Sequence, residues 1–511
     1  MPTLADALFV LLLLRVLQLG ATDLFNDPGT GWHLRTGHQI VATGSVPTID
    51  AYSYTRAAQP WVETQWLADV LMALAHAVGG YTLLALISAV LLAGLFRWIY
   101  RTQVEAGGWP TIALLITFAA AGAAAMHFLA RPLLASSIGV PLCFWWASQY
   151  ARARIAAWKL WLLVPMAAVW CNLHPGVLGG IATVGLCGFG VLATSLWPMV
   201  SRKRPGEWQR GVRLIVVASA MGAATLANPY GVHWHVWVVQ LMGSQALPEY
   251  VEEWRPLAWH EPAALLGGLL VAVALVATVL RRKRTTGAEA LVILFWIFQG
   301  FSSARHMPLT AMIVALQLGR ILPDLRTHRP LLLRIGRRLP LFSDQIRQTE
   351  ARTSGGLASL GCVALLAGLS AIGLRLPVLG LGVAGPSPQR FSPGAVAFLR
   401  THAPPGPVFN DLSYGGTLIR DLPGLPVFAD DRFGLYGEDF VVQYCRAVFE
   451  PEHNAARLLD RWRIRTVLTA AKLPLCTWLD RQPEWTRVFH DQAAAIHVRQ
   501  PTATEPAPHA F

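Results

Sequence analysis

Long apolar runs recur along this chain up to residue 383, and this pattern constrains its fold more than any other feature. An α-helix needs roughly 20 apolar residues to cross the hydrocarbon core of a bilayer, and most of the runs approach that length. Hydrophobic residues make up 54% of the 511 residues and charged residues only 14%, which is unusual for a soluble protein. We therefore predict a polytopic α-helical membrane protein with about eleven spans. The runs cover residues 4–22, 67–99, 109–130, 133–150, 159–174, 176–198, 211–227, 263–280, 288–304, 307–322 and 355–383.

The basic residues set the orientation of these spans and explain the formal net charge of +13. The first run contains Arg15 and lacks a following small-residue cleavage site, so we interpret it as a retained span rather than a signal peptide. If its N-terminus is cytoplasmic, the Lys and Arg clusters all fall in cytoplasmic connectors, as the positive-inside rule requires. No basic patch then remains for a nucleic-acid partner. The clusters are Arg97 and Arg101; Arg152, Arg154 and Lys159; residues 202–204; residues 281–284; and the stretch 320–352.

Under the same topology, the other polar clusters fall at the outer ends of the spans. A transporter is expected to place polar groups near the middle of its spans, with interrupted helices at matching positions of two halves. Clustering at the outer ends instead favours a site at the membrane surface that a lipid-linked substrate can reach. The clusters are "FNDPGTGWHLR", "TIDAYSYT" and "PWVETQW" in the first outer loop, and then "HFLARP", "CNLHP", "ANPYGVHWH", "YVEEWRP" and "SSARH".

The first outer loop, residues 23–66, supplies several candidate site residues. Asp27 followed by Pro28 predicts the start of a helix, with Asp27 as N-cap, Pro28 at the first helical position and Gly44 at the end. Capping alone would account for Asp27, and a functional role for its carboxylate is the alternative. The loop further contains His33, Arg35, Asp50 and Glu63 as candidate substrate-binding residues.

These loop residues also have structural interpretations. His33 beside Trp32 could equally anchor the chain at the membrane interface. Asp50 lies in a proline-rich turn, where a structural role is the simpler interpretation. Asp27, His33, Asp50 and Glu63 could bind a divalent metal, but their spacing is not diagnostic of any metal site.

Basic residues at the outer ends of later spans are candidates for binding a phosphate. Arg131 and His174 lie next to prolines at span ends, and Arg305 and His306 follow two serines. An arginine can bind a phosphate with two hydrogen bonds, whereas a structural arginine would pair with a loop carboxylate such as Glu253. A snorkelling side chain is the alternative for Arg305.

The chain from residue 386 onwards has a different composition. It contains 13 basic and 13 acidic residues, as is usual for a soluble domain. The segments "PVFND", "PVFADD" and "RTVLTA" predict strands, "GGTLIRDL" and "AARLLDRW" predict helices, and "TRVFHD" with "AAIHVR" predicts a hairpin. We predict a small extracytoplasmic α/β domain over residues 386–500, with a disordered tail over 501–511.

Carboxylates at the predicted strand ends of this domain complete the set of candidate site residues. Ligands of open α/β sheets bind beyond the carboxyl ends of strands, where Asp411, Asp430 and Asp431 would lie. We expect Asp411 to cap a helix, whereas Asp430 and Asp431 beside Arg432 would either suit sugar hydroxyls or bind loop amides. An oxidising compartment would also permit a disulfide between Cys445 and Cys476.

The order of these features resembles a known superfamily. One N-terminal span, an outer loop opening with Asp27-Pro28 and the phrase "GxxPxxDxxSYTxxxxPWxxxxWL" over residues 44–67 resemble the GT-C membrane glycosyltransferases, which include protein O-mannosyltransferases, aminoarabinose transferases and oligosaccharyltransferases. The chain resembles more closely a group of bacterial membrane proteins with the loop phrases "NPYG", "EW" and "RH". The GT-C resemblance implies a polyprenyl-phosphate sugar donor, Asp27 as the base or acceptor-positioning group, and Arg131, Arg305 and His306 as phosphate ligands.

Two departures from the superfamily's motifs narrow the range of expected substrates. The oligosaccharyltransferase motif Trp-Trp-Asp-Tyr-Gly is missing, since "LSYGG" at residues 412–416 is only a faint echo of it. The chain also lacks a convincing DxD motif for a metal-bound nucleotide sugar. Protein N-glycosylation and a nucleotide-sugar donor therefore have little support.

The function that follows is sugar transfer from a polyprenyl-phosphate carrier to a glycan, lipid or protein acceptor on the outer face of the bacterial cytoplasmic membrane. The predicted GT-C-like transmembrane domain covers residues 1–385. A non-catalytic scaffold of envelope polysaccharide or glycolipid biogenesis and a transporter are the two alternatives.

Overall fold

The computed structural model describes residues 3–196, 206–280, 285–322, 343–348 and 356–501. The chain forms two compact units, each built from three stretches of sequence. The first unit comprises Met1–Leu19, Thr82–Asn228 and Glu252–Val383, and the second comprises Gly20–Tyr81, Pro229–Val251 and Ala384–Phe511. The residues predicted as a first outer loop are thus grouped with the C-terminal residues. The predicted basic clusters 202–204 and 281–284, most of 320–352 and nearly all of the predicted tail lie outside the described residues.

The first unit is helical throughout the part that the structure describes. Among the described helices, three are long and apolar enough to cross a membrane: Trp66–Glu105, Val177–Leu196 and Pro262–Leu280. The predicted number of about eleven spans stays a prediction. The other α-helices of this unit are Leu4–Leu19, Pro110–Ala123, Leu134–Ala151, Ala157–Leu160, Leu163–Trp170, Glu207–Ala224, Gly287–Ser302, Met307–Ile321 and Leu357–Ala371, with a short helix over residues 343–348.

The helix Trp66–Glu105 is broken where it passes from one unit to the other. Gly79 and Gly80 have non-helical backbone angles, and Gly80 adopts φ 59° and ψ −155°. Residues with a Cβ avoid this region, so glycine permits the break. The chain therefore contains two helical segments here rather than one continuous span.

Ion pairs mark one end of the first unit's helices. Glu289, at the start of Gly287–Ser302, accepts hydrogen bonds of 2.7 and 2.6 Å from Arg152 and one of 3.0 Å from Arg320. Arg152 follows the end of Leu134–Ala151, and Arg320 lies at the end of Met307–Ile321. Arg131 and Arg305 lie at the opposite ends of these helices, roughly 23 to 27 Å away for helices of 15 and 18 residues. The helices thus separate two sets of basic residues, as the sequence predicts.

The second unit begins with the loop that contains Asp27. The helix predicted there spans Thr30–Thr43, and its N-cap is Gly29, so the prediction that Asp27 is the N-cap is wrong. Asp27 instead accepts a 2.8 Å hydrogen bond from the backbone N–H of Gly29. Gly44 ends the helix in the left-handed conformation (φ 66°), as predicted.

The C-terminal residues form a four-stranded mixed sheet in the order β1-β2-β4-β3. The strands are β1 (Val408–Asn410), β2 (Thr466–Ala470), β3 (Trp485–His490) and β4 (Ala494–Arg499). Strand β2 pairs in parallel with β1 and antiparallel with β4, which forms the predicted hairpin with β3. The second unit's helices are Thr30–Thr43, the start of Trp66–Glu105, Val232–Met242, Ala246–Tyr250, Pro393–Thr401, Leu412–Asp421, Phe433–Tyr436, Glu438–Phe449, Pro451–Arg461 and Pro474–Leu479.

One predicted strand is missing from this sheet. The segment "PVFADD" makes only a single bridge, between Val427 and Ser53. Its backbone pairs with the first loop instead, since Tyr54 donates to the carbonyl of Val427 and Val427 donates to that of Tyr52. Asp411 caps the helix Leu412–Asp421, as predicted, whereas Cys445 and Cys476 are both free and do not form the disulfide that an oxidising compartment would permit.

Candidate functional site

The second unit brings the Asp27 loop against the C-terminal residues through glycines. A Cβ atom on Gly31 would lie 2.0 Å from the carbonyl oxygen of Gly416, and one on Gly416 would lie 2.1 Å from that of Pro28. A Cβ on Gly415 would lie 2.5 Å from the Cβ of Asp430. The two glycines of "LSYGG" therefore allow the helix Leu412–Asp421 to approach both segments closely. This packing brings the side chains of Asp27 and Asp431 close to Gly29.

Asp27 and Asp431 both face the α-carbon of Gly29. A Cβ atom at residue 29 would lie 2.9 Å from Oδ1 of Asp27 and 2.9 Å from Oδ2 of Asp431. The other carboxylate oxygen of Asp431, Oδ1, accepts a 2.8 Å hydrogen bond from the indole N–H of Trp32. Both residues are intermediate in exposure.

The pKa of Asp431 is raised to about 7. Desolvation is the largest cause, followed by the charges of Asp27 and Asp430. The hydrogen bond from Trp32 and the nearby His33 act in the opposite direction. Asp431 therefore gains and loses a proton near neutral pH, in the range that suits a general acid or base.

Asp50 and Asp430 are engaged by one arginine. Arg432 donates to both oxygens of Asp430, at 2.8 and 2.6 Å, and to Asp50 at 2.8 Å. Tyr436 also donates to Asp430, and the Arg432 guanidinium lies 4.5 Å from the ring centroid of Trp61. All three charged side chains are buried. A sugar-binding role for Asp50 or Asp430 stays a prediction, and both carboxylates are already satisfied by protein groups.

Two further loop residues lie in a buried acidic pocket. Nδ1 of His33 is 2.6 Å from Oδ1 of Asp69, near the start of the helix Trp66–Glu105. Glu63 is also buried, and its pKa is raised to about 8 by desolvation and then by the charge of Asp69. The fifth candidate of this loop, Arg35, is exposed on the helix Thr30–Thr43.

The first unit brings together its own set of candidates. Arg131 pairs with Glu253 at 3.0 Å, which is the contact that a structural role predicts. The guanidinium of Arg305 lies 4.3 Å from the ring centroid of Trp254. Burial, with the repulsion of nearby cations, lowers the pKa of Arg305 to about 10 and that of His306 to about 4. The hydroxyl of Ser303 donates to the backbone carbonyl of Glu253.

Two histidines complete this basic cluster. His127 is 2% exposed, and neither of its ring nitrogens has a hydrogen-bond partner among the described residues. The guanidinium groups of Arg131 and Arg305 act electrostatically on it, and the rings of His306 and His174 are also nearby. Nδ1 of His174 accepts from the backbone N–H of Gly176, which leaves its Nε2 as the protonated nitrogen. A buried polar ring without a partner among the described residues, close to two guanidinium groups, is a site that an anion would satisfy.

Sequence reasoning missed three residues of these clusters. Asp69 and His127 are ionisable residues inside apolar runs, and that signal alone could have marked them. The role of Arg432 as the link between Asp50 and Asp430 had no signal in the sequence.

The candidate metal ligands of the first loop do not converge on a metal site. Within the described residues, the only group of three or more potential ligands close enough to share an ion is Cys476, Asp480 and His497. Their ligand atoms lie within 4.8 Å of one another. The carboxylate of Asp480 is already hydrogen-bonded to His497 and forms an ion pair with Arg487. Asp27, His33, Asp50 and Glu63 are therefore not arranged to hold a divalent metal together.

Comparisons with known proteins give structural matches. No protein-family model matches the chain, and no curated protein matches it. The apo crystal structure of the oligosaccharyltransferase of Archaeoglobus fulgidus is similar with a TM-score of 0.52 and 12% identity, over 92% of this chain and 70% of that one. The apo crystal structure of ArnT from Cupriavidus metallidurans is similar with a TM-score of 0.50 and 15% identity, over 96% of this chain and 97% of that one. At such identities the likeness concerns the fold.

Proposed function

Because this chain has the GT-C fold of polytopic membrane glycosyltransferases, as the sequence resemblance predicts, we propose that it transfers a sugar from a polyprenyl-phosphate carrier to an acceptor. The observation that carries this proposal is the basic cluster of the first unit. His127, Arg131, His174, Arg305 and His306 gather at one end of its helices, and the buried ring of His127 has no partner among the described residues. A phosphate would supply the missing hydrogen-bond acceptor and the missing negative charge.

The basic cluster would act on the leaving group. Breaking the bond between the sugar and the phosphate leaves an additional negative charge on the phosphate oxygens. Arg131 and Arg305 would stabilise that charge through hydrogen bonds that strengthen as it develops. His306, whose pKa is low in the free protein, could take up a proton when an anion binds beside it.

The carboxylates beside Gly29 would act on the acceptor. Asp27 is partly exposed and lies in the first loop after the first helix, and we assign it the role of base or acceptor-positioning group. A positioned carboxylate can orient an acceptor hydroxyl and accept its proton. His33, Arg35, Glu63 and Asp431 are the remaining candidates for contacts with the substrates in this unit.

We place the reaction on the outer face of the bacterial cytoplasmic membrane. The Lys and Arg clusters of the predicted connectors support this orientation, since positively charged connectors stay in the cytoplasm. The N-terminus would then be cytoplasmic, and the C-terminal residues would be extracytoplasmic.

A direct experiment measures binding of a polyprenyl phosphate to the purified protein in detergent. We expect wild-type protein to bind it and the variant Arg305→Ala to bind it at least ~10-fold more weakly, because a charge-assisted hydrogen bond is lost. Arg101→Ala is the matched control, since Arg101 is an exposed arginine of the same unit that pairs with Glu105. Equal binding by all three proteins would contradict the proposal.

A second experiment separates an enzyme from a scaffold. Cells that lack the protein should accumulate a lipid-linked sugar, which mass spectrometry of the lipid extract would identify. Complementation by Asp27→Asn would leave the scaffold as the better interpretation, because a scaffold does not need the carboxylate.

A further inference from the structure

Three potential metal ligands of different chemistry converge in the second unit. Cys476 lies in the helix Pro474–Leu479, Asp480 is the C-cap of that helix, and His497 lies on strand β4. One ligand atom of each residue lies within 4.8 Å of the other two: the Sγ atom of Cys476, a carboxylate oxygen of Asp480 and a ring nitrogen of His497. The helix and the sheet thus bring together a thiol, a carboxylate and an imidazole.

The two oxygens of Asp480 have different partners. Oδ1 is 2.9 Å from Nε2 of His497, and Oδ2 accepts a 3.1 Å hydrogen bond from Arg487. Arg487 is the residue of β3 that pairs with His497 of β4 in the sheet. Arg487 can therefore stay on Oδ2 while Oδ1 binds a cation in place of the imidazole proton. Such an outer partner orients a carboxylate that binds a metal.

His497 has a ring nitrogen that the surrounding protein does not use. Its side chain is 0% exposed, and Nδ1 has no hydrogen-bond partner in the part of the chain that the structure describes. Burial lowers the pKa of His497, so the ring is neutral and one nitrogen carries a lone pair. Because Nδ1 has no partner there, the contacts of the ring do not fix the proton on Nε2. The proton can move to Nδ1, which leaves Nε2 free to bind a metal.

Cys476 places a soft ligand beside this pair. The residue is 3% exposed, and a buried free cysteine usually packs as a small hydrophobic residue. Its Sγ atom instead lies close to a carboxylate and an imidazole. Thiolate, imidazole and carboxylate are the three ligand types that Zn²⁺ binds in proteins, whereas Mg²⁺ and Ca²⁺ prefer oxygen ligands alone. The ligand set therefore favours Zn²⁺.

From this arrangement we propose that Cys476, Asp480 and His497 bind one Zn²⁺ ion, with water in the fourth position. The side chain of Asp480 is 34% exposed, which lets the ion and the water enter from solvent. Zinc–ligand bonds of about 2.0 to 2.3 Å place tetrahedral ligand atoms roughly 3.4 to 3.6 Å apart, so the side chains need to adjust by roughly 1 Å.

Binding would join the helix Pro474–Leu479 to the sheet. The thiol of Cys476 gives up its proton to solvent when the metal binds, and the ion then links the helix to β4. The proposal does not rest on sugar transfer, and it can be tested without a substrate.

The test measures Zn²⁺ binding to the full-length chain in detergent, with the purification tag removed and the cysteines reduced. After treatment with a chelator, Zn²⁺ is titrated in competition with a chromogenic chelator. Cys445→Ser is the matched control, since Cys445 is also a buried free cysteine of the second unit. We expect wild type and the control to bind one ion at this site. Cys476→Ser and Asp480→Asn should bind it at least ~10-fold more weakly, because the loss of even an outer partner has an effect of that size.

Cobalt provides a second readout that reports the thiolate directly. Co²⁺ bound to a cysteine thiolate shows a charge-transfer absorption in the near ultraviolet that oxygen and nitrogen ligands do not produce. Wild type and Cys445→Ser should show this band, and Cys476→Ser should lack it. A band of equal strength in Cys476→Ser would overturn the proposal, because the metal would then bind another cysteine.

Thermal unfolding keeps the test valid if Cys476→Ser folds poorly. Asp480→Asn changes an exposed side chain, so its fold should be retained. Zn²⁺ should raise the melting temperature of wild type more than that of Asp480→Asn, because a ligand stabilises the state that binds it, and Mg²⁺ should raise neither. If folded wild type binds no Zn²⁺, or if Asp480→Asn gains as much stability from Zn²⁺ as wild type, the three residues form only an ion-pair network beside a buried thiol.

Discussion

Arg432 donates a 2.8 Å hydrogen bond to Asp50, a residue 382 positions earlier in the chain. The side chain of Arg432 is 3% exposed and that of Asp50 is 0% exposed. Arg432 also pairs with Asp430, so its single positive charge lies between two carboxylates. This contact joins the first loop to the C-terminal residues of the second unit and helps to hold Asp431 beside Asp27.

Removal of this arginine should destabilise the second unit. Arg432→Met leaves Asp50 and Asp430 buried without their partner, and we expect a loss of about 3 to 5 kcal/mol in the free energy of unfolding. Arg487→Met removes the arginine of a half-exposed pair with Asp480 and should cost less than about 1 kcal/mol. Thermal unfolding of the purified proteins measures both, and equal losses would show that the buried pair has no special role.

The variant Asp27→Asn should separate stability from activity. The amide oxygen of asparagine can still accept the N–H of Gly29, so we expect expression and melting temperature to match wild type. Loss of the charge should lower sugar transfer by at least ~100-fold, which is typical for the removal of an acid–base group. Full activity in a stable Asp27→Asn protein would contradict any role for this carboxylate in the reaction.

Arg131→Ala and Arg305→Ala should weaken donor binding more than folding. We expect each to reduce the free energy of binding to a polyprenyl-phosphate sugar by about 1.5 to 3 kcal/mol. Arg131→Ala also leaves Glu253 without the 3.0 Å contact, so melting temperatures must be compared alongside the affinities. Wild-type affinity in both variants would remove the phosphate role from both arginines.

Glu63 should make the protein less stable as the pH rises. Its pKa of about 8 in the folded protein exceeds the usual value, so the folded state holds an extra proton between about pH 4.5 and 8. The resulting stabilisation is complete below that range and is lost as pH increases through about 8. Glu63→Gln should therefore melt at a higher temperature than wild type at pH 8.5, where wild type buries a charge, and should show a flatter pH profile. A variant that melts at the wild-type temperature throughout would show that Glu63 is ionised without cost.

The orientation in the membrane can be tested by labelling single cysteines in a cysteine-free background. Ser45, in the first loop, and Lys472, in the C-terminal residues, are exposed, as is Glu105 at the end of the helix Trp66–Glu105. We expect an impermeant maleimide to label Ser45→Cys and Lys472→Cys in cells whose outer membrane is permeable, and to label Glu105→Cys only after the inner membrane is opened. Labelling of Lys472→Cys only after lysis would reverse the predicted orientation.

Local patterns predicted several elements well because neighbouring residues decide them. Gly44 ends its helix since a left-handed residue is needed there, and β2 with the β3–β4 hairpin follows from alternating or continuous apolar segments. The segment "PVFADD" has a composition typical of a strand, but its backbone is hydrogen-bonded to the first loop instead of to the sheet. Such a choice depends on which partner is nearby, and a propensity does not contain that information.

In the candidate site, too, the sequence predicted some features, and others depended on tertiary contacts. The sequence marked Arg131, Arg305 and His306 by their place at the ends of apolar spans, Asp27 by its place in the first outer loop and Asp431 by its place at a predicted strand end. It did not distinguish Asp430, which is enclosed by Arg432 and Tyr436, from its neighbour Asp431, which is bonded to Trp32. Adjacent carboxylates can thus have different hydrogen-bond partners, which the sequence alone does not specify.

By itself, the sequence determined that this chain is a helical membrane protein, because the bilayer constrains length and hydropathy independently of tertiary contacts. Only the tertiary structure decided which ionisable groups share an environment. Asp27 meets Asp431 because Gly31 and Gly416 allow two distant segments to touch, and His127 joins Arg131 and Arg305 through helix packing. The pKa of a carboxyl group depends on its desolvation and on charges within a few ångströms, and those distances exist only once the chain has folded.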